Sequence, residues 1–473
     1  MSHTCPRSCR RISPFPTFTS RSEDTVRNLI LVAFVQVLLV VGGCGGGGGG
    51  GNLTGGGGGD GGGGGTSAAN VVAMTVNGGP ISSSPDADTP FITVTVCAPG
   101  SATNCVQVSN VEVDTGSYGL RIVSSVLTST FIGSLTQETA SNSQPLVECT
   151  QFADGISWGP VMVANVQIGG ESASNVPIQV MGDSSFENEI PADCSSHGTE
   201  EDTVSSFGAN GIIGIGPFAQ DCGTGCVLSD SDYAANPTYF ACPAGGTSAS
   251  DCQATGPALE EQVTNPVADF TSTGDDNGVI VEMPSVPDPD GAASASGSLV
   301  FGIGTQSNNG LGSATVLTGN DYGDITTVYN GDSLQDSYID TGSNGYYFDA
   351  QATGTPPDCP NSSGSGSSSL SWLCPSSEQT INLTNEGQNG TTSNVSIKIY
   401  NANTLFDEDN GTYTAFDDLG ADSGSQSTWC QENYGVSGDC YFDLGMPFFF
   451  GRNVYIAIAG TTTPGGQGPY FAY

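Results

Sequence analysis

Basic side chains are scarce in this sequence. Lys and Arg number 8 against 48 Asp and Glu over 473 residues, a formal net charge of -40. Five of the eight, Arg7, Arg10, Arg11, Arg21 and Arg27, precede the first apolar run and leave only Arg121, Lys398 and Arg452 in the body of the chain. A surface of that sign repels phosphate backbones and excludes nucleic acid as a partner. Its acidity reads in two ways: as solubility, in salt included, or as fitness for low pH, where carboxylates are partly neutral. Histidine is scarcer still, with only His197 beyond the leader. A serine or cysteine nucleophile would therefore have a single candidate base. The cysteines lack the paired CxxC knuckles and histidines of a zinc site, so no metal and no cofactor is expected. Long apolar runs are missing too: Leu29 to Val41 is too short to span a bilayer comfortably. Helical signals are few. The clearest is GPALEEQV at 256 to 263, where Pro257 suits a first turn and Glu260 and Glu261 complement its positive end.

Strand and turn fill the chain instead. Gly 69 and Pro 26, with short runs such as FITVTV, GVIVEM and VYIAIA, describe many strands broken by turns. The length exceeds what one hydrophobic core usually supports, so two packed units are expected.

At the front, arginines up to Arg27 precede the apolar run, which Val41-Gly42-Gly43-Cys44 closes. This resembles a bacterial lipoprotein signal over residues 1–43, which implies export, cleavage before Cys44 and a lipid on that cysteine. Gly45 beside it favours an outer-membrane or cell-surface location. Residues 44–67 are nearly all glycine and read as a flexible tether. Fifteen cysteines are present, and setting aside Cys5, Cys9 and Cys44 leaves twelve, an even number suited to disulfides in an exported protein. Close spacing suggests Cys97 with Cys105, Cys222 with Cys226, Cys242 with Cys252, Cys359 with Cys374 and Cys430 with Cys440. Cys149 with Cys194 remains by elimination, although other connectivities stay open.

The strongest signal is an internal repeat, VEVDTGSYGLRI around Asp114 and SYIDTGSNGYYF around Asp340. A lone Asp-Thr-Gly reads as a turn. Two copies in one register point to chemistry, because two carboxylates pressed together cannot both ionise easily and hold one proton between them. One member can then activate water while the other donates to a substrate carbonyl. Gly116 and Gly342 let the backbone approach the carboxyls, and the Ser117 and Ser343 hydroxyls can bond their outer oxygens.

With these residues the chain resembles the pepsin family of aspartic peptidases, and more closely an uncharacterised bacterial family of exported relatives described only as a domain of unknown function. The resemblance covers nearly everything after the tether. It implies an all-β, two-lobed fold with a central cleft, with residues 68–305 as the first lobe and 306–473 as the second. Asp114 and Asp340 then map onto the catalytic aspartates, one per lobe, and Thr115 and Thr341 onto threonines that interlock across the lobes. NGIIGIGP at 210 to 217 resembles the segment bracing the first aspartate, with Ile212, Ile213 and Gly214 in its places. SGSLVFGIGT at 296 to 305 resembles the strand closing the first lobe, and DLGMPFFFGRNVYIAIAG at 443 to 460, led by Leu444 and Gly445, the second brace.

FADGISWGPVMVANVQIGG at 152 to 170 resembles the flap hairpin, with Gly155 and Gly159 in register and Trp158 within it. It departs from the family where Phe152 replaces a tyrosine and Arg121 a tryptophan that would bond to it. Arg121 is expected either over the Phe152 ring or paired with Asp154, the alternative being a surface arginine. The function implied is an aspartic-type endopeptidase, a monomer taking exposed polypeptide into its cleft and held to a membrane by its lipid. A non-catalytic binding protein on the same scaffold is the rival reading. Residues 221 to 256 and 353 to 376 read as added loops, and the acidic runs DPDG at 288 to 291 and DEDNG at 407 to 411 as solvated turns without the ligand spacing of an EF-hand.

Overall fold

Alternation builds the strands. In Pro90–Cys97 the buried Val94 and Val96 alternate with half-exposed Thr93 and Thr95, the period-2 pattern of a sheet with one face on a core. In this computed structural model the described residues are 68–83, 85–188, 190–227, 237–350, 356–360, 371–408, 411–423 and 440–473. The leader, the tether with Cys44, Cys430 and parts of the segments 221 to 256 and 353 to 376 lie outside them. Ala68–Tyr473 falls within one compact unit, and no helix among the described residues is long and apolar enough to cross a membrane.

Two large sheets carry the fold, one of 17 strands and one of 8 among the described residues. In the first, Gly155–Ile168 and Glu171–Met181 form a long hairpin whose turn Gly169 takes a φ of 60°, the left-handed region open to glycine. The second opens with Ile325–Tyr329 and Asp332–Ile339, joined by Asn330 and Gly331, both at positive φ as a tight hairpin turn requires. The chain then returns to the first sheet: Asn453–Ala457 and Tyr470–Ala472 pair with Gly278–Glu282 and Val316–Thr318. A boundary near residue 305 therefore does not separate the sheets, since both ends of the later half are built into the first one.

The strand expected to close the first half is present as Ala295–Phe301, between Val71–Val76 and Gly278–Glu282. One apolar cluster takes in Val113 and Ile213 from the earlier half and Ile339 and Leu444 from the later, so a continuous core backs both repeats. The expected helix at 256 to 263 shrinks to a single 3-10 turn, Leu259–Glu261. Its continuation is pulled away by tertiary bonds: Gln262 Nε2 donates to Gly223 O at 2.9 Å, and the Val263 amide donates to the Tyr239 hydroxyl at 2.7 Å. Five disulfides are described, Cys97–Cys105, Cys149–Cys194, Cys222–Cys226, Cys242–Cys252 and Cys359–Cys374, matching the pairing suggested by spacing and elimination.

Candidate active site

Asp114 ends the strand Cys105–Asp114, and Asp340 follows directly on Asp332–Ile339. Each carboxyl is held by its own turn. The Gly116 and Ser117 amides donate to Asp114 Oδ1 at 2.7 and 3.1 Å, and the Gly342 amide donates to Asp340 Oδ1 at 2.8 Å. The two turns are cross-linked by their threonines. The Thr341 amide donates to Thr115 Oγ1 at 2.9 Å and the Thr115 amide to Thr341 Oγ1 at 3.1 Å; the hydroxyls donate onward to Ile339 O and Val113 O at 3.0 and 2.6 Å.

This crossing sets each carboxyl over the other turn's glycine. A methyl group on Gly116 would lie 2.5 Å from the Asp340 carboxyl carbon, and one on Gly342 would lie 2.6 Å from Asp114 Oδ1. Only glycine fits at either place. The carboxyls are 5 % and 9 % exposed. Burial, then the charges of Asp114 and Asp443, then a side-chain hydrogen bond with Asp114, hold the Asp340 carboxyl well above the usual range.

Each segment read as a brace runs beside one aspartate strand. Gly211–Ile215 runs parallel to the first aspartate strand with Ile212 opposite Glu112, Ile213 opposite Val113 and Gly214 opposite Asp114. Asp443–Leu444 runs parallel to the second with Leu444 opposite Ile339, and the Asp340 amide donates to Leu444 O at 3.0 Å. A methyl on Gly445 would lie 2.0 Å from Gly345 O, so the brace backbone is in contact with the turn it supports.

The serines differ. Ser343 Oγ donates to Asp340 Oδ2 at 3.0 Å as expected, but Ser117 Oγ has no hydrogen-bond partner and that residue serves through its amide. Ser343 also lies beside a third carboxyl, Asp443, which is 3 % exposed. Burial first, and the charge of Asp114, push Asp443 well above the usual carboxylate range, while the Ser343 bond opposes them. Its other neighbours are Tyr338 and Tyr347, whose hydroxyls it affects electrostatically. Sequence reading passed over Asp443, although it directly precedes Leu444-Gly445 where the first brace has Ile212. Glu112 was missed likewise; it sits opposite Ile212, and burial, then Asp114, Asp154, Asp86 and Glu201, raise its carboxyl well above the usual range.

A hairpin of Leu146–Gln151 and Gly155–Ile168 stands where the flap was expected, turning at Phe152 whose amide donates to Gly155 O at 2.8 Å. Asp154 at its tip acts electrostatically on Glu112 beside the first aspartate and on Tyr347 beyond the second. Gly155 is crowded, since a methyl there would lie 2.5 Å from Thr199 O.

Arg121 takes neither expected partner. It is 1 % exposed, pairs with Glu148 at 2.5 Å and Asp221 at 3.2 Å, and donates to Thr150 Oγ1 and Tyr118 O at 2.8 Å each. Burial makes this compulsory: a guanidinium removed from water must find carboxylates, which a ring face cannot replace. Phe152 packs on Phe207 instead, ring centroids 5.7 Å apart. Trp158 is a core residue beneath the hairpin, its Nε1 donating to Phe186 O at 3.0 Å. The segment 221 to 256 is more than a loop, because its strand Tyr239–Ala241 adds to Leu146–Gln151 and Tyr239 donates its hydroxyl to Asp221 Oδ1 at 2.6 Å. Far from the turns in sequence, oxygens of Asp288, Asp417 and Asp418 lie within 4.8 Å of one another, a set able to hold a metal ion.

A family model described as "Protein of unknown function (DUF3443)" matches residues 66–473. No curated protein matches. Among solved structures, the crystal structure of an aspartic proteinase from Irpex lacteus is similar at 18% identity and a TM-score of 0.45, over 86% of this chain and 96% of that one.

Proposed function

Because the chain belongs to the family described as protein of unknown function DUF3443, its activity has to be argued from its own site, and we propose that it is an aspartic-type endopeptidase. The observation that carries this is the threonine crossing that sets the Asp114 and Asp340 carboxyls over each other's glycines. Two acids so placed hold a proton in common. Asp340, whose proton affinity burial and its neighbours raise, is the protonated member. Asp114 takes a proton from a water lying between them, the water oxygen attacks the peptide carbonyl, and Asp340 gives its proton to the carbonyl oxygen. Collapse of the tetrahedral diol then breaks the C–N bond as the proton on Asp114 passes to the leaving nitrogen and one diol hydroxyl returns its proton to Asp340, restoring the pair. Substrate is exposed polypeptide lying beneath the hairpin tip at Asp154.

The leader sequence supports the further proposal that the protein is exported and anchored through a lipid on Cys44. Cleavage of a denatured protein by the full chain, followed from pH 2 to 7 beside Asp114→Asn and Asp340→Asn, tests the peptidase reading. Turnover lost in both variants, with binding of a hydroxyl-containing peptide mimic of the diol to the parent, is the expected result. Peptide binding without turnover in the parent would favour the non-catalytic binding protein instead.

A further inference from the structure

The segment Thr414 to Asp418 is a seam joining three distant parts of the chain. The Asp88 amide donates to Thr414 O at 2.7 Å, and the Phe416 amide donates back to Asp88 Oδ1 at 2.7 Å. On the other side Ala292 bridges Ala415, their amides donating to each other's carbonyls at 2.9 and 3.0 Å. Gly291, at a φ of 71°, brings the 288 to 291 turn so close that a methyl there would lie 2.4 Å from the Phe416 ring. Asp288 is thereby carried to Asp417 and Asp418.

Asp288 is exposed, in keeping with a solvated turn, but the carboxylates it meets are not. Asp418 is 1 % exposed and neither of its carboxyl oxygens has a hydrogen-bond partner; Oδ1 of Asp417 and Oδ2 of the wholly buried Asp88 also lack one. Native structures rarely leave such oxygens unmet, and an unpaired buried carboxylate is costly. The near cation does not meet the need: Lys398 Nζ bonds Asp288 Oδ2 and Glu378 Oε1, leaving Asp418 aside. Arg452 reaches Asp417 only as a charge acting from nearby.

We propose that Asp288, Asp417 and Asp418 bind one hard divalent cation of the calcium type, with water completing its shell. Three carboxylates and no nitrogen or sulfur donor select such an ion. Calcium takes oxygens at about 2.4 Å in irregular shells, so ligands on opposite sides stand about 4.8 Å apart, the limit within which these oxygens lie. The ion neutralises Asp418 and clamps the 288 to 292 turn to the seam.

Calcium chloride titrated into the full chain by calorimetry at pH 8 tests this. One ion per chain is expected, together with a melting temperature higher in calcium than in EDTA. Asp417→Asn should weaken binding by about tenfold or more and Asp418→Asn should abolish it. If Asp418→Asn fails to fold, Asp417→Asn decides. Equal melting in calcium and EDTA with no heat of binding would overturn the proposal, as would calcium binding unchanged in Asp417→Asn.

Discussion

Arg121 Nη2 and Glu148 Oε1 meet at 2.5 Å with residue exposures of 1 % and 0 %, a charge pair sealed against the hairpin of Leu146–Gln151 and Gly155–Ile168. Asp221 joins it at 3.2 Å and Tyr239 bonds Asp221, so the hairpin is fastened to the segment after residue 220 by charge as well as by strand pairing. Removing the arginine alone strands two buried carboxyls. Arg121→Ala should lower the urea-measured stability of the disulfide-intact chain by about 3–5 kcal/mol. Arg121→Ala with Glu148→Gln should recover part of that loss. A single variant as stable as the parent would show that the pair is energetically idle.

Asp443 bears on the pair by its charge. Its charge is one of the influences that raise Asp340, so taking it away should let Asp340 lose its proton at lower pH. Asp443→Asn keeps a bonding group beside Ser343 while deleting the charge. In the pH profile of kcat/KM for peptide cleavage, the high-pH limb should move down by about one unit. An upward shift or no shift would mean the carboxyl is a bystander.

Stability should favour acid. For a carboxyl whose folded pKa is raised, the folded state binds more protons than the unfolded one between the two values. Its contribution is whole below the unfolded value and fades as pH rises through the folded one. Burial first lifts Glu201 from 4.5 and Asp202 and Asp418 from 3.8, each to about 8. The melting temperature, recorded in EDTA, should therefore fall from pH 4 to pH 8. A rise across that window would contradict the burial of these acids.

Gly116 and Gly342 leave no room for a side chain. Alanine at either place must push the opposing carboxyl aside by overlap at 2.5 to 2.7 Å. Gly116→Ala and Gly342→Ala should each cost about 1–3 kcal/mol of stability and abolish turnover in the same assay. A fully active alanine variant would place the carboxyls farther apart than the threonine crossing allows.

What was readable in advance was local or repeated. The two Asp-Thr-Gly-Ser turns, the braces at Ile213-Gly214 and Leu444-Gly445, and the short-loop cysteine pairs are patterns within a few residues, or copies of one pattern. Asp443 and Glu112 were hidden by the same repetition. Each occupies a position whose counterpart in the other copy is the uncharged Ile212 or Tyr338, so the repeat carries no sign of either carboxyl. Leu259–Glu261 stopped short of a helix for another reason: helix signals compete with partners such as Gly223 and Tyr239 that are far away in sequence.

By itself, then, the amino-acid sequence determined the strand-rich character, the paired acidic turns and the glycines that let them approach, because backbone preference and side-chain period act over a few residues. Only the tertiary structure decided where the isolated charges went: Arg121 to Glu148 and Asp221, Asp443 to Ser343, and Asp288 to Asp417 and Asp418. A buried charge is settled by whichever opposite or proton-sharing group the packing of remote segments delivers, and no local pattern encodes that meeting.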